Sequence, residues 1–141
     1  MLTVRLLSTA DYDAIIGVWQ AAALTVRHTG RDSRERFAQQ QANGQAALGA
    51  YADDQLVGVA LVTQDGRKGW INRLAVLPAF QRRGVGMALI QAAEAHLRGL
   101  NLEIHAALIE HHNAASLALF QKAGYRVEQI YYVTKRDHPD A

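Results

Sequence analysis

Along the chain, apolar and polar residues recur at two periods, and the switches between them mark the elements. "LTVRLL" (2–7) alternates as a first strand. Ser8 and Asp11 have capping-box spacing ahead of a helix that carries Ile15, Ile16, Trp19, Ala22 and Ala23 on roughly one face. Gly30 breaks the chain, and Asp32 with Glu35 repeats the capping spacing before "SRERFAQQQ". "AALGAYA", the turn "DDQ" and "LVGVALVTQ" form a hairpin pattern, and "DGRKG" turns the chain again into "WINRLAVL". Val85, Ala88, Leu89, Ala92 and Leu97 then fall at helical spacing up to Gly99. "LEIHAALI" predicts a fourth central strand. "NAASLALFQKAG" predicts a helix between a capping Asn113 and the C-terminal glycine Gly124, and "YRVEQIYYVTK" a last strand. The order β-α-α-β-β-β-α-β-α-β predicts an α+β fold: a single mixed, mostly antiparallel sheet with helices on both faces.

Composition narrows the function classes. At 141 residues, with no internal repeat or linker, the chain is expected to form a single domain over 1–141. No apolar run approaches the roughly 20 residues needed to cross a bilayer, so no membrane role is expected. The first residues turn acidic without a signal-peptide pattern, which favours a cytoplasmic location. With no cysteine there is no disulfide framework and no thiolate nucleophile. The isoelectric point is about 9.2, yet net charge is only +2 and the charges are mixed along the chain. Without a basic stripe, nucleic acid is not an expected partner. A local anion site is still compatible with these charges.

The stretch "LAVLPAFQRRGVGMALI" (74–90) offers one. Pro78 stops a strand, because proline cannot donate to a ladder. Gln81, Arg82, Arg83, Gly84, Val85 and Gly86 then open a helix whose first amides lack internal acceptors. Glycines let an anion approach such amides closely, which is the physics of a phosphate cradle. No Gly-Lys-Ser/Thr follows, so this is not a P-loop. Position 89 is a leucine and the preceding strands form hairpins, so it is not the dinucleotide fingerprint.

"QRRGVG" after "LAVLP" resembles the acetyl-CoA signature of the GNAT superfamily of N-acyltransferases, Gln/Arg-x-x-Gly-x-Gly/Ala. "NAASLALFQKAGY" is similar to that family's Asn…Leu-Tyr-x-x-x-Gly-Phe/Tyr segment. The resemblance covers nearly the whole chain and is strongest from Trp70 to Tyr125. It implies acetyl-CoA as donor cosubstrate and no metal. The cofactor would lie in a V-shaped opening where "INRLAVL" splays from "LEIHAALI". The backbone from Gln81 through Arg82, Arg83, Gly84, Val85, Gly86 and Met87 would take the pyrophosphate. Leu74, Ala75 and Val76 would pair with the pantetheine like an added strand. The Leu74 amide would be the oxyanion donor. Asn113 would bond the pantetheine or simply cap its helix, Phe120 would lie against the cofactor, and Lys122 would meet the 3′-phosphate.

Two positions depart from the family pattern. A glutamate often found in the strand is here Asn72, and a tyrosine often used as general acid is here Phe120. Replacement candidates are Glu110, His111 and His112 in one loop, and Tyr131 or Tyr132 in the last strand, where alternation lets only one face the site. "EHH" lacks the convergent ligands of a metal site, and His105 reads as a satisfied core residue. The acceptor would enter beside Trp19, Arg27, His28, Arg31, Asp32, Arg34, Glu35, Arg36 and Tyr51. Asp32 and Glu35 are expected to serve as caps, and Trp19 as core. The expected function is direct acetyl transfer to the amine of a small molecule or peptide, the alternative a CoA-binding sensor with little or no activity. Acetyl is not distinguished from longer acyl groups. A homodimer is common in the family, and no interface is specified.

Overall fold

The computed structural model describes residues 1–141. Strands β1 (Leu2–Leu7), β2 (Ala46–Ala52), β3 (Gln55–Gln64), β4 (Gly69–Val76) and β5 (His105–Ala106) form one sheet in the order β1-β2-β3-β4-β5. The first four pair antiparallel, and β5 pairs parallel to β4. Helices α1 (Tyr12–Ala21) and α2 (Arg34–Ala42) precede β2, α3 (Val85–Gly99) follows β4, and α4 (Ala114–Lys122) follows β5.

Strand alternation sends neighbouring residues to opposite faces, and each face buries a separate core. Leu48, Ala50, Val62 and Ile71 pack under α3 with Leu89, Ile90, Ala93, Leu97 and Phe120. Ala47, Val59, Leu61 and Ala75 pack under α1 and α2 with Ile15, Ile16, Trp19 and Phe37. The helices therefore cover both faces, as the pattern predicts.

The capping box forms as expected: Asp11 accepts from the Ser8 amide at 2.8 Å, and Ser8 accepts from Ala10. The second cap does not. Ser33, not Asp32, caps α2 by accepting from the Arg36 amide at 3.1 Å, and Glu35 has no part in it. Helix α1 stops at Ala21, well before Gly30, because Ala23 turns to φ 63°.

Two strands differ more. "LEIHAALI" contributes only His105 and Ala106, and they form the sheet's edge, not its centre. The segment 125–135 joins no ladder, so the expected last strand is absent from the sheet. Alternation therefore assigns no face to Tyr131 or Tyr132, and both are exposed. No helix is long and apolar enough to cross a membrane.

Candidate active site

Strand β4 holds two neighbours unequally. It pairs with β3 along nearly its whole length, but with β5 only through Gly69–His105 and Trp70–Ala106. Beyond Trp70 its second edge is open. The Leu77 amide donates to Val57 at 2.8 Å, and Ala75 lies opposite Val59 two residues earlier. In an antiparallel ladder a residue turns both polar groups to one side and its neighbours turn theirs to the other. Ala75 and Leu77 thus serve β3, while the main-chain groups of Leu74 and Val76 face the open edge. The Val76 carbonyl is met there by the side chain of Gln81, whose Nε2 donates at 3.1 Å.

A bulge sets this phase. Leu61 faces Asn72 and Val59 faces Ala75, so Ala60 alone opposes both Arg73 and Leu74. Arg73 takes φ 53°, a left-handed conformation uncommon outside glycine. The extra residue reverses the alternation: Ile71 packs under α3, while Ala75, four positions on, packs under α1. Two contacts hold the bulge. Trp19, almost fully buried, donates its indole Nε1 to the Arg73 carbonyl at 3.3 Å. The Arg73 guanidinium lies 4.5 Å from the Trp19 ring centroid and donates to the Thr25 carbonyl at 2.7 Å. Burial pushes the Arg73 pKa down, and Asp32 opposes that shift. Arg73 escapes a motif search. The polar pair Asn72–Arg73, in the middle of a half-buried strand, is the signal that marks it.

At the end of the same strand, Pro78–Phe80 make a short 3-10 turn and Gln81–Gly84 lead into α3. Gly84 caps the helix at φ 82°, with open space where a side chain would start. The amides of Arg82, Arg83, Gly84, Val85, Gly86 and Met87 donate to no backbone carbonyl, the first such bond being Ala88 to Gly84 at 3.0 Å. Six successive unpaired donors at a helix N-terminus fit an oxyanion group such as a pyrophosphate. Arg82 and Arg83 are exposed beside them, Arg83 stacked over Phe80 at 5.3 Å. Gly86 meets a second demand: a Cβ there would fall 2.6 Å from Leu119 Cδ2 of α4.

Other expected site residues are placed less closely. Asn113 caps α4, accepting from the Ser116 amide at 3.1 Å, which leaves its amide group free to donate. Lys122 is exposed in the last turn of α4. Phe120 is a core residue, 4 % exposed and packed edge-on against Tyr125, so its ring serves packing more than contact. Tyr125 donates to Glu94 at 2.8 Å, and burial raises its pKa. Asn72 is engaged too, donating to Thr63 at 3.2 Å. Glu110, His111 and His112 are exposed in the turn before α4, and neither Tyr131 nor Tyr132 makes a hydrogen bond. No three or more His, Asp or Glu side chains cluster as metal ligands would. His105 is not the satisfied core residue expected: its Nδ1 is buried without a partner, beside a shallow cavity of about 440 Å³ lined by Arg98, Asn101 and Glu103.

Residues 14–125 match the model of the acetyltransferase (GNAT) family. The chain belongs to the GNAT family. It is similar to the [ribosomal protein bS18]-alanine N-acetyltransferase of Salmonella typhimurium, 32% identical over all of this chain and 94% of the relative. It is also 32% identical to a mycothiol acetyltransferase of Propionibacterium freudenreichii, over 83% of this chain but only 40% of that longer protein. Among solved structures, the PaiA N-acetyltransferase of Thermoplasma acidophilum, in complex with coenzyme A, shares the fold. Its TM-score is 0.81 at 20% identity, over 93% of each chain. As a GNAT member with acetyltransferase relatives, the chain is an acyltransferase of the N-acetyltransferase class.

Proposed function

We propose that the chain transfers an acetyl group from acetyl-CoA directly to a primary amine, with the open edge of β4 and the start of α3 as its donor site. The observation that carries this reading is two sets of outward main-chain donors in one stretch: Leu74 and Val76, turned by the ladder's alternation to the open edge, and Arg82–Met87 at the helix start. An extended amide-bearing arm can add to a strand edge, and a pyrophosphate can be held by a helix start. The strand edge precedes the turn at Pro78 and the helix start follows it.

Acetyl-CoA supplies the thioester when bound. On the protein's side, the Leu74 amide donates to the carbonyl oxygen as negative charge develops there, and the bulge held by Trp19 fixes its direction. The Gln81 amide group leaves the Val76 carbonyl for the incoming arm, and Asn113 donates from the facing helix. The departing thiolate, with an ordinary pKa near 8.5, needs little help from an acid, which suits Phe120 at the position where the family often places a tyrosine. The amine must lose a proton, and Glu110, exposed in the turn before α4, takes it directly or through water. With no cysteine in the chain, no cysteinyl intermediate is available.

Two relatives, each 32% identical to this chain, carry different acetyltransferase names, one for a ribosomal-protein alanine and one for mycothiol, so identity alone does not select the amine. The test is acetyl-CoA-dependent release of free CoA across a panel of primary amines: peptide N-termini, amino acids, aminosugars and polyamines. Turnover on at least one supports the reading. Tight acetyl-CoA binding with no turnover on any of them replaces it with the second, a CoA-binding sensor, which Asn72 and Phe120 favour.

A further inference from the structure

Beside the bulge, the Asp32 carboxylate meets the guanidinium of Arg73 and the main chain of Arg27, and both arginine side chains are half-buried. The Asp32 side chain is 10% exposed, and its Oδ2 accepts from the Arg27 amide at 2.7 Å. Arg73 reaches the same oxygen only at 3.7 Å, its Nη2 being directed to the Thr25 carbonyl. Its Nε is buried without a partner. The Arg27 side chain is half-buried and makes no hydrogen bond or ion pair, and its Nε is likewise buried without a partner. Arg31 adds a third positive charge, enough to depress Arg73 further. Asp140, whose main-chain oxygen lies against Gly30 on this loop, pairs with none of them.

Charge taken partly out of water is ordinarily neutralised or fully hydrogen-bonded. Here two half-buried cations lie around Asp32, Arg73 stacked on the buried Trp19 and Arg27 without a side-chain partner, with about one negative charge too few. Resting on the N-acetyltransferase reading, we propose that the acceptor is a small amine carrying a carboxylate or phosphate, whose anionic group docks between Arg27 and Arg73. Arg73 directly precedes Leu74, so an anion on its guanidinium places an amine a few bonds away beside the acetyl carbonyl. Arginine's planar fork suits either oxyanion. Asp32 keeps the loop in place by accepting from the Arg27 amide, while the unmatched positive charge of the arginines disfavours polyamines.

Two measurements decide the matter. With saturating acetyl-CoA, CoA release is compared for glycyl-glutamate against glycyl-glutamine amide, and for glucosamine 6-phosphate against glucosamine. The anionic member of at least one pair is expected to have a kcat/KM about tenfold or more higher, expressed in KM, and the responding pair separates carboxylate from phosphate. Arg27→Gln brings that ratio close to one while acetyl-CoA affinity stays unchanged. Because Arg27's guanidinium has no structural partner, the variant is expected to fold. Independently of turnover, glutarate or inorganic phosphate should raise the Tm of the wild type and not of Arg27→Gln. Equal kcat/KM within both pairs, no anion-dependent rise in Tm, or a rise that persists in Arg27→Gln overturns the proposal. A failure to bind acetyl-CoA sinks the transferase reading instead, and the Tm comparison still decides the anion site.

Discussion

The indole of Trp19 and the main-chain carbonyl of Arg73 are joined across 3.3 Å, so a helix on one face of the sheet holds the bulge that turns Leu74 toward the open edge. One hydrogen bond thus links helix α1 to the strand position proposed to hold the acetyl group. A bulge with a non-glycine residue at φ 53° costs free energy and persists only when its surroundings hold it.

Trp19→Phe keeps an aromatic ring but removes the donor. Stability should fall by about 1–3 kcal/mol, from the lost bond and the smaller ring. At saturating acetyl-CoA, kcat should fall several-fold while the calorimetric affinity for acetyl-CoA changes little. A stability loss with kcat intact would show that the bulge does not depend on the indole.

Gly86→Ala sets two effects against each other. Helix propensity favours alanine by about 1 kcal/mol, while the new Cβ must displace Leu119 Cδ2, and overpacking typically costs about 1–3 kcal/mol. The clash should win by roughly 1 kcal/mol. In a Leu119→Ala background the same change should become neutral or stabilising, which a double-mutant cycle by urea denaturation measures directly.

The turn between β3 and β4 carries a pH signature. Asp65 accepts from the amides of Arg67 and Lys68 at 2.9 and 2.8 Å and from the Trp70 indole at 3.3 Å. The two amides, above all, lower its pKa from 3.8 to about 2. A depressed carboxylate stabilises the fold above its unfolded pKa, and that contribution disappears as pH falls through the folded value. Asp65→Asn should therefore have a lower Tm than wild type at pH 7, the gap narrowing between about pH 4 and pH 2. A constant gap across that range would contradict the assignment.

Much of this was legible in the sequence. Strands β2 to β4 and helix α3 follow from strong periodicity bounded by turn residues, and their limits agree closely with the pattern. The glycine turn between strand and helix was equally readable, because it is a local signal. What resisted reading depends on contacts distant in sequence. "LEIHAALI" and "YRVEQIYYVTK" both carry strand-like residues, yet a strand is defined by its partner. The first pairs at only two residues and the second at none. Asp32 has helix-cap chemistry, but its carboxylate accepts from the Arg27 amide instead, and the adjacent Ser33 caps α2.

Phe120→Tyr tests whether the missing phenol matters. The ring is buried against Tyr125, so an added hydroxyl without a partner should lower stability by about 1–3 kcal/mol. Because a thiolate leaves readily, kcat should stay within about threefold of wild type. A tenfold rise would show that protonation of the leaving group limits the native enzyme.

The most direct measurement is calorimetric titration of acetyl-CoA into the wild type and into Gly84→Glu. Gly84 sits at φ 82° with open space around it, and a carboxylate there would both strain the cap and face the cradle's anion. The account predicts one-to-one binding by the wild type and none detectable by a variant that circular dichroism shows to be folded. No binding by the wild type, or unchanged affinity in Gly84→Glu, would contradict it.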